Sequence, residues 1–453
     1  MQSIRLALLL LCAFASAFIV GVQLGLNMNH GPPDYSEHWP EHSSRITQQK
    51  TDSPYFTADG AEWLDAWSKV SSNVYAYSAY LDPRLGPDAT MVRVVGLARL
   101  SPALEVNYSC LIDDRPGKPA PPVVAKREFL QDHHHAKYDG VFITCPYHLT
   151  NDSETPQTVR VAVTGAETGT SKSIPVHYRR PTLGTHEMGS LSLCVRPFYG
   201  GVPKVHDLRH FVAYYSLHGV QRFTFYAYDY RDDVNDYLRT LGREGLTVDL
   251  FPWYLPAAKK SWALAQNAFT QDCLYRHANA SRRVIIVDLD EYVFPLPVRG
   301  KPRTIAQLLA KLPESKACIV VRNVFWVRAA SRMDRPFIFA SLNRSRRVWP
   351  TGLRSKYFAD PLEVLEGGIH FCRRFLSGGR NRDKQLTVSQ ALLFHYRGVR
   401  GETYARDTSM LVWEKPLMNS PLMSKPEFWR GVASKVRNVL RNSVDVVSRL
   451  IQR

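Results

Sequence analysis

The first feature of the chain is an apolar run: residues 6–26 contain no charged residue, Arg5 precedes the run, and Asp34 and Glu37 follow it. At about 1.5 Å of rise per residue, a helix of this length crosses a hydrocarbon core of about 30 Å. Because positive charge tends to stay on the cytoplasmic side, we expect a single-pass anchor with a short cytoplasmic tip, residues 1–26. The alternative is a cleaved signal peptide, with residues 15–17 as the small-residue cleavage site. Either segment directs the rest of the chain into the secretory lumen.

A polar stretch follows at residues 27–55 and is typical of a stem. Beyond it, short stretches rich in β-forming residues are separated by Pro, Gly and Asp. The clearest of these are residues 74–80, 91–100, 141–144 and 158–163. The pattern predicts a β-rich N-terminal domain and a linker over residues 56–187.

From residue 188 the pattern changes, because aliphatic stretches now alternate with stretches of helical spacing. Helices are predicted at 205–218, 234–241 and 260–277, and strands at 191–196, 222–228, 246–251 and 284–287. This alternation predicts an α/β domain over residues 188–415, with a mixed, mainly parallel sheet flanked by helices. Residues 416–453 are predicted to form a C-terminal amphipathic helix, docked on that domain or lying on a membrane surface.

The net positive charge of the chain does not by itself identify a partner. The 453 residues carry 58 Lys+Arg against 41 Asp+Glu, a formal net charge of +17. This charge permits nucleic acid, anionic lipid or phosphate-bearing partners. We expect no nucleic-acid partner, because the chain contains no recognised nucleic-acid-binding module and a luminal location argues against one.

Cysteines and glycosylation sequons agree with a luminal body. Of the seven Cys, Cys12 lies in the apolar run, and the other six are compatible with disulfides in several pairings. Sequons for N-glycosylation occur at Asn107, Asn151, Asn279 and Asn343.

The most informative stretch is residues 284–292, where four aliphatic residues predict a strand that is buried on both faces. Asp288, Asp290 and Glu291 follow it, at the edge of the sheet where open α/β folds bind ligands. Asp288 and Asp290 are two positions apart, so both point to the same side of an extended chain. Such a pair can hold a divalent cation that bridges a diphosphate. Glu291 is either a third acidic contact or a support.

With this stretch in place, residues 188–400 resemble glycosyltransferase family 92, whose members have a GT-A-type fold. The matching stretches are residues 194–200 (CVRPFYG), 207–219 (DLRHFVAYYSLHG), 223–226 (FTFY), 271–274 (QDCL), 287–292 (VDLDEY) and 395–397 (HYR). The resemblance implies a single-pass type II enzyme of the Golgi membrane with a luminal catalytic domain. It also implies transfer of galactose from UDP-galactose, with inversion, to a glycan acceptor on a glycoprotein or polysaccharide.

The resemblance also implies roles for further residues. A late histidine completes the metal site in GT-A enzymes, which nominates His395, and the aliphatic run at residues 391–394 predicts a strand that delivers it inward. A neutral imidazole suits Mn²⁺ better than Mg²⁺. The donor-side candidates are Arg196, Tyr199, Asp229, Gln271, Asp272, Arg276 and Lys356. The acceptor-side candidates are Trp326, Tyr357 and His370. An inverting transfer also needs a base for the acceptor hydroxyl. By position, this base could be any of Asp360, Glu363, Glu366, His370 and Asp383.

Two other functions remain open from the residues alone. A non-catalytic luminal carbohydrate-binding protein would share the charge and the β-rich domain. A phosphatase of the haloacid-dehalogenase type also places D-x-D after an aliphatic strand. In those enzymes the first Asp is a nucleophile and the pattern ends in Thr or Val, whereas Tyr292 stands at that place here.

Overall fold

The computed structural model describes residues 55–58, 67–100, 107–113, 121–132, 134, 136–148, 155–164, 171–180, 190–257, 260–330, 335–376 and 382–424. All of them belong to one compact unit. Within these ranges no helix has both the length and the apolarity needed to cross a membrane. The predicted anchor, most of the stem and most of the predicted C-terminal helix lie outside the described residues.

The N-terminal part is an eight-stranded sheet that closes on itself. Its strands are β1 Ser68–Ser71, β2 Val74–Asp82, β3 Met91–Arg99, β4 Tyr108–Asp113, β5 Val123–Phe129, β6 Tyr138–Pro146, β7 Thr158–Val163 and β8 Ile174–His177. The strand order is β1-β2-β3-β6-β5-β4-β7-β8, and β2 also pairs with β8. Along β4, Tyr108, Cys110 and Ile112 are buried and alternate with more exposed residues, as expected of a strand with one face on the core. All four strands predicted in this part are confirmed.

The remaining described residues form the α/β part. Its strands are β9 Leu191–Val195, β10 Val220–Ala227, β11 Thr247–Pro252, β12 Arg283–Val287, β13 Glu291–Pro295, β14 Cys318–Val321, β15 Asn323–Phe325, β16 Asn343–Ser345, β17 Lys356–Ala359, β18 Val364–Gly367, β19 Cys372–Phe375, β20 Asp383–Gln385, β21 Ala391–His395 and β22 Tyr404–Arg406. Its α-helices are α1 Val205–Leu217, α2 Asp232–Leu241, α3 Gln266–Arg276, α4 Ile305–Leu309, α5 Phe337–Ala340, α6 Glu414–Met418 and α7 Pro421–Ser424.

The main sheet of this part has seven strands in the order β11-β10-β9-β12-β17-β14-β20. The run from β11 to β12 is parallel, and β17 is antiparallel to both of its neighbours. The mixed, mainly parallel sheet predicted from the sequence is therefore confirmed. A smaller sheet, β13-β21-β15, begins just beyond the carboxyl end of β12.

Helix α3 is shorter than its pattern predicted. The helix begins at Gln266 rather than at residue 260, because Ala263, Leu264 and Ala265 all have positive φ angles, which an α-helix does not accept. The helix packs closely against the N-terminal sheet: a Cβ on Gly140 would lie 2.7 Å from Asn267 Oδ1. Only a glycine allows this approach of β6 to α3.

Three disulfides join the six cysteines that follow the apolar run: Cys110–Cys145, Cys194–Cys273 and Cys318–Cys372. The first lies within the N-terminal sheet, the second ties β9 to α3, and the third ties β14 to β19. Cross-links of this kind stabilise a fold mainly by restricting the unfolded chain.

Candidate active site

The carboxylates predicted from the sequence lie where the main sheet ends. Every residue of β12 is buried, and the chain leaves the sheet at Asp288 and enters β13 at Glu291. Arg196 follows the neighbouring strand β9, and its backbone N donates to Val287 O at 3.4 Å. Its guanidinium Nη1 lies 3.7 Å from Asp288 Oδ2. The parallel pairing of β9 with β12 thus brings a cation and a carboxylate to the same edge.

Glu291 holds the backbone of Asp288 in place. Its side chain is 3% exposed, and Oε2 accepts a hydrogen bond from the backbone N of Asp288 at 2.8 Å. Burial raises the pKa of Glu291 to about 7, against the opposing charge of Lys356. Of the two roles left open by the sequence, this geometry favours a support over a contact with the ligand.

Lys356 is the buried cation of the site. It opens β17 with a side chain that is 2% exposed, and Nζ lies 3.3 Å from Glu291 Oε2 and 3.7 Å from Asp288 Oδ1. Burial favours the neutral amine, but the charges of Asp288 and Glu291 outweigh burial and raise the pKa of Lys356. Burial likewise acts to raise the pKa of Asp288, but the charges of Arg196 and Lys356, followed by two histidines, hold it well below its usual range.

His395 completes the cluster from the smaller sheet. It ends β21 and stands opposite Glu291 in the antiparallel pairing with β13. Nε2 lies 3.4 Å from Asp290 Oδ2, and Nδ1 lies 3.6 Å from Glu291 Oε1. Burial alone would lower the pKa of His395, but the carboxylates, Asp290 first, raise it. The strand predicted to deliver His395 inward therefore brings it to the carboxylates.

The donor set fits a divalent cation in part. Asp290 Oδ2 and His395 Nε2 are close enough to share one ion, and Asp288 Oδ1 is buried and accepts no hydrogen bond from the described residues. Three ligand atoms come within 4.8 Å of one another, among the described residues, only at Cys194, Cys273 and His277. That cluster is not a metal site, because its two sulfur atoms form a disulfide.

A cavity of about 180 Å³ opens beside the carboxylates. It is lined by Arg196, Pro197, Phe198, Tyr199, Val202, Pro203, Lys204, Asp207, Asp288, Leu289, Asp290 and Arg328. The sequence did not single out Lys204, Asp207 or Arg328. Arg328 Nη2 lies 3.4 Å from Asp207 Oδ2, so these two side chains meet at the rim although they come from distant segments. The one feature that could have indicated Arg328 is its position three residues beyond the end of β15, since the end of this strand lies beside His395.

The loop after β9 holds two of the donor-side candidates. Arg196 Nη2 donates to Tyr199 Oη at 3.1 Å, and both residues line the cavity. Asp229 does not line it: its Oδ2 accepts from Gly200 N at 3.1 Å and so fixes the loop. Gly200 and Gly201 have φ angles of 66° and 68°, which favour glycine.

The three donor-side candidates on α3 lie elsewhere, which corrects their predicted position. Gln271 is fully buried, and its side chain donates to Gly367 O at 2.7 Å and accepts from Gly367 N at 3.0 Å. Asp272 is also fully buried and pairs with Arg276 at 2.8 Å. The hydroxyl of Tyr80, from the N-terminal sheet, donates to Asp272. Asp272 and Arg276 therefore contact Tyr80 and join the two parts of the fold. Gln271 instead ties α3 to β18 within the α/β part. None of the three lines the cavity at Asp288.

Two of the acceptor-side candidates are also placed differently from expectation. Trp326 is fully buried and packs against Phe394 and Tyr396. Tyr357 is 1% exposed, and its hydroxyl donates to Gly368 O at 2.7 Å. Neither ring offers a free face to a sugar in this structure. His370 is half-buried, in the loop between β18 and β19.

The sequons differ in accessibility. Asn107 and Asn343 are exposed, whereas Asn279 is half-buried and its Nδ2 donates to Arg179 O at 2.8 Å. Asn151 lies outside the described residues.

The model of glycosyltransferase family 92 matches residues 189–439. Comparison with the curated proteins gave no match. Among solved structures, HddC from Yersinia pseudotuberculosis matches with 10% identity over 38% of this chain and 74% of its own, at a TM-score of 0.22. Glucosyl-3-phosphoglycerate synthase from Mycobacterium tuberculosis, in complex with Mn²⁺, UDP and glucosyl-3-phosphoglycerate, matches with 12% identity over 33% of this chain and 50% of its own, at a TM-score of 0.19. Because the family match spans more than half of the sequence and contains the whole carboxylate cluster, the chain belongs to glycosyltransferase family 92.

Proposed function

We propose that this glycosyltransferase transfers a hexose, galactose from UDP-galactose, to a glycan acceptor with inversion at the anomeric carbon. The observation that carries the proposal is the position of Asp288 between two cations beside an open cavity. Arg196 Nη1 and Lys356 Nζ lie 3.7 Å from its two carboxylate oxygens. Cationic side chains and a carboxylate-held metal ion both stabilise a diphosphate, and the groups at this edge of the sheet are of these kinds.

The proposal assigns the cation to Asp288, Asp290 and His395. Mn²⁺ or Mg²⁺ held there would act as a Lewis acid on the oxygens of the leaving nucleotide. Glu291 keeps the backbone of Asp288 in place through the hydrogen bond of 2.8 Å to its N–H. The role of the protein side chains is therefore to orient the donor and to balance its negative charge.

The cations around the cavity have separate parts in this proposal. Lys356 is held by buried carboxylates and acts as a fixed positive charge. Arg196 is 20% exposed and stacks near the ring of Tyr199, with Cζ 5.2 Å from the ring centroid. It can therefore reach an incoming diphosphate while Tyr199 offers a ring to the nucleotide. Lys204 and Arg328 extend the positive charge along the cavity wall.

We also propose that the enzyme is a single-pass type II protein of the Golgi membrane with its catalytic part in the lumen. Three disulfides support an oxidising compartment, and the apolar run at residues 6–26 supports an anchor. Treatment with an N-glycosidase tests the luminal location. We expect the apparent mass of the protein to fall, and we expect Asn107→Gln together with Asn343→Gln to abolish this fall. An unchanged mass would contradict it.

A donor panel tests the proposed reaction. The purified full-length chain is incubated with Mn²⁺, a mixture of glycans released from glycoproteins, and each of several UDP-sugars in turn, and the release of UDP is measured. We expect the highest acceptor-dependent release from UDP-galactose. Turnover of another UDP-sugar alone would overturn the galactose assignment, and glycan binding without any turnover would favour the non-catalytic alternative.

Carboxylate variants link that turnover to the site. Asp288→Asn and Asp290→Asn are expected to abolish UDP release, and EDTA should do the same for the unmodified chain. Asp88→Asn is the matched control, because it removes the same charge from an exposed position in the N-terminal part. Equal turnover in all three variants would contradict the metal assignment.

A further inference from the structure

The loop that carries His370 is tied to the segment before Lys356 by two hydrogen bonds. Ser355 Oγ donates to His370 O at 2.7 Å, and the imidazole Nδ1 lies 3.1 Å from Ser355 O. A carbonyl oxygen only accepts hydrogen bonds, so Nδ1 must carry the proton. The tautomer is thereby determined, and Nε2 bears the free lone pair.

The lone pair of His370 is open to a ligand. Nε2 has no hydrogen-bond partner among the described residues, and the imidazole is half-buried rather than enclosed. Solvent reaches Nε2. A histidine with one nitrogen anchored to a carbonyl and the other exposed is arranged to accept a proton.

His370 stands at the same edge of the sheet as the carboxylate cluster. Ser355 is adjacent to Lys356, whose Nζ lies 3.7 Å from Asp288 Oδ1. The charge of His370 is one of those that act on Asp288 and lower its pKa against the effect of burial, after those of Arg196, Lys356 and His395. The imidazole therefore lies at the carboxylate edge of the sheet, outside the lining of the cavity beside Asp288.

The other four bases eligible by sequence are placed less well. Three of them form ion pairs with arginine: Asp360 with Arg282, Glu363 with Arg382 and Glu366 with Arg374. Asp383 pairs in register with Cys318, which stands opposite Ala359, and Ala359 stands opposite Val284 near the start of β12. Asp383 is thus at the amino edge of the sheet, away from Asp288.

We propose that Nε2 of His370 is the general base that removes the proton from the attacking hydroxyl of the acceptor. The inference rests on the proposed function and names the residue that the inverting reaction requires. The acceptor oxygen forms a bond to the anomeric carbon while the bond from that carbon to the diphosphate oxygen breaks. The electron pair of the broken bond leaves with UDP, the hydroxyl proton passes to Nε2, and His370 then releases this proton to solvent.

The surroundings keep His370 neutral before the reaction. Burial, followed by the charge of Lys356, lowers its pKa to about 4, against the hydrogen bond to Ser355 and the charge of Asp132, which act to raise it. Arg354 adds a smaller lowering effect. A neutral imidazole at physiological pH has its lone pair available, and general-base catalysis contributes about 10²- to 10⁴-fold to a rate.

The decisive variant is His370→Asn. The amide nitrogen of Asn can still donate to Ser355 O, so the variant keeps the anchoring hydrogen bond and loses only the base. With UDP-galactose, Mn²⁺ and the glycan mixture, we expect kcat to fall by about 10²- to 10⁴-fold. The affinity for UDP should stay within about twofold, because His370 does not contact the donor in this proposal. A kcat within about twofold of the unmodified chain would overturn the assignment.

Chemical rescue and a pH profile separate catalysis from a structural role. Imidazole added to His370→Gly should restore part of the turnover, and the rate of the unmodified chain should fall below about pH 5, as expected for a base with a pKa of about 4. If His370→Asn loses UDP binding as well as turnover, the absence of rescue in His370→Gly overturns the proposal. The outcomes are distinct from failure of the proposed function, in which the unmodified chain itself would release no UDP from any donor.

Discussion

Asp132 holds Ile369 in place across the boundary between the two parts of the fold. The carboxylate Oδ2 of Asp132, in the loop after β5, accepts a hydrogen bond from the backbone N of Ile369 at 2.7 Å. Its other oxygen pairs with Arg373 at 2.6 Å. Since Ile369 precedes His370, the N-terminal sheet positions the loop that carries the proposed base.

Removal of this carboxylate should loosen the loop. In Asp132→Ala, we expect the free energy of unfolding to fall by about 1–3 kcal/mol, because the buried N–H of Ile369 and the Arg373 guanidinium lose their acceptor. kcat should also fall while the affinity for UDP is retained. Urea unfolding and UDP-release assays provide the measurement. Gln131→Ala is the control, since Gln131 is exposed and only its backbone N hydrogen-bonds to Glu366; an equal loss in both variants would contradict the account.

A second prediction concerns the buried pair of Lys356 and Glu291. In Lys356→Met, the buried Glu291 loses its cation and Asp288 keeps only Arg196. We therefore expect a loss of about 3–5 kcal/mol in the free energy of unfolding. Glu291→Gln added to Lys356→Met should recover part of this loss, because it removes the buried carboxylate that has lost its cation. Urea unfolding of the single and double variants gives the interaction free energy between the two side chains. Strictly additive effects would show that the two side chains do not interact.

A third prediction follows from Asp139, a 2% exposed residue at the contact between β6 and α3. Burial raises its pKa to about 7, although Gly140 and Asn267 donate hydrogen bonds to it. The folded state therefore binds the proton more tightly than the unfolded chain. The protonated Asp139 therefore stabilises the fold fully below about pH 4, and this stabilisation is lost as the pH rises to about 7. Each unit of difference between the folded and unfolded pKa corresponds to about 1.4 kcal/mol of stability. Asp139→Asn should flatten this dependence in a series of Tm measurements; parallel curves for the two proteins would contradict the prediction.

A fourth prediction is the disulfide pattern. Peptide mapping without reduction should recover Cys110 linked to Cys145, Cys194 linked to Cys273, and Cys318 linked to Cys372. The last bond joins β14 to β19 and so restrains the strand that follows His370. Replacing both of its cysteines by Ser should lower the free energy of unfolding by about 2–4 kcal/mol. A free thiol or a different partner at any of these six positions would contradict the fold.

Much of the framework was predictable because it depends on local pattern. Four aliphatic residues before Asp288 identified β12, and the run that ends at His395 identified β21. The antiparallel pairing of β21 with β13, which sets His395 opposite Glu291, was not visible in either stretch, because register depends on which strands meet.

The errors share one physical cause. Helical spacing shows that α3 has a buried face, but it does not show what that face meets. Asp272 meets Tyr80 of the N-terminal sheet, and Gln271 meets Gly367 of β18. For the same reason Trp326 suggested a sugar platform although it is core. Asp207 and Arg328 were missed because they come from separate segments and meet only after folding.

The measurement that tests the central claim most directly is acceptor-dependent release of UDP from UDP-galactose, compared between the unmodified chain and Asp288→Asn with Mn²⁺ present. We predict turnover by the unmodified chain and by Asp88→Asn, and none above background by Asp288→Asn. Undiminished turnover by Asp288→Asn would contradict the account, since the carboxylate between Arg196 and Lys356 would then have no part in the transfer.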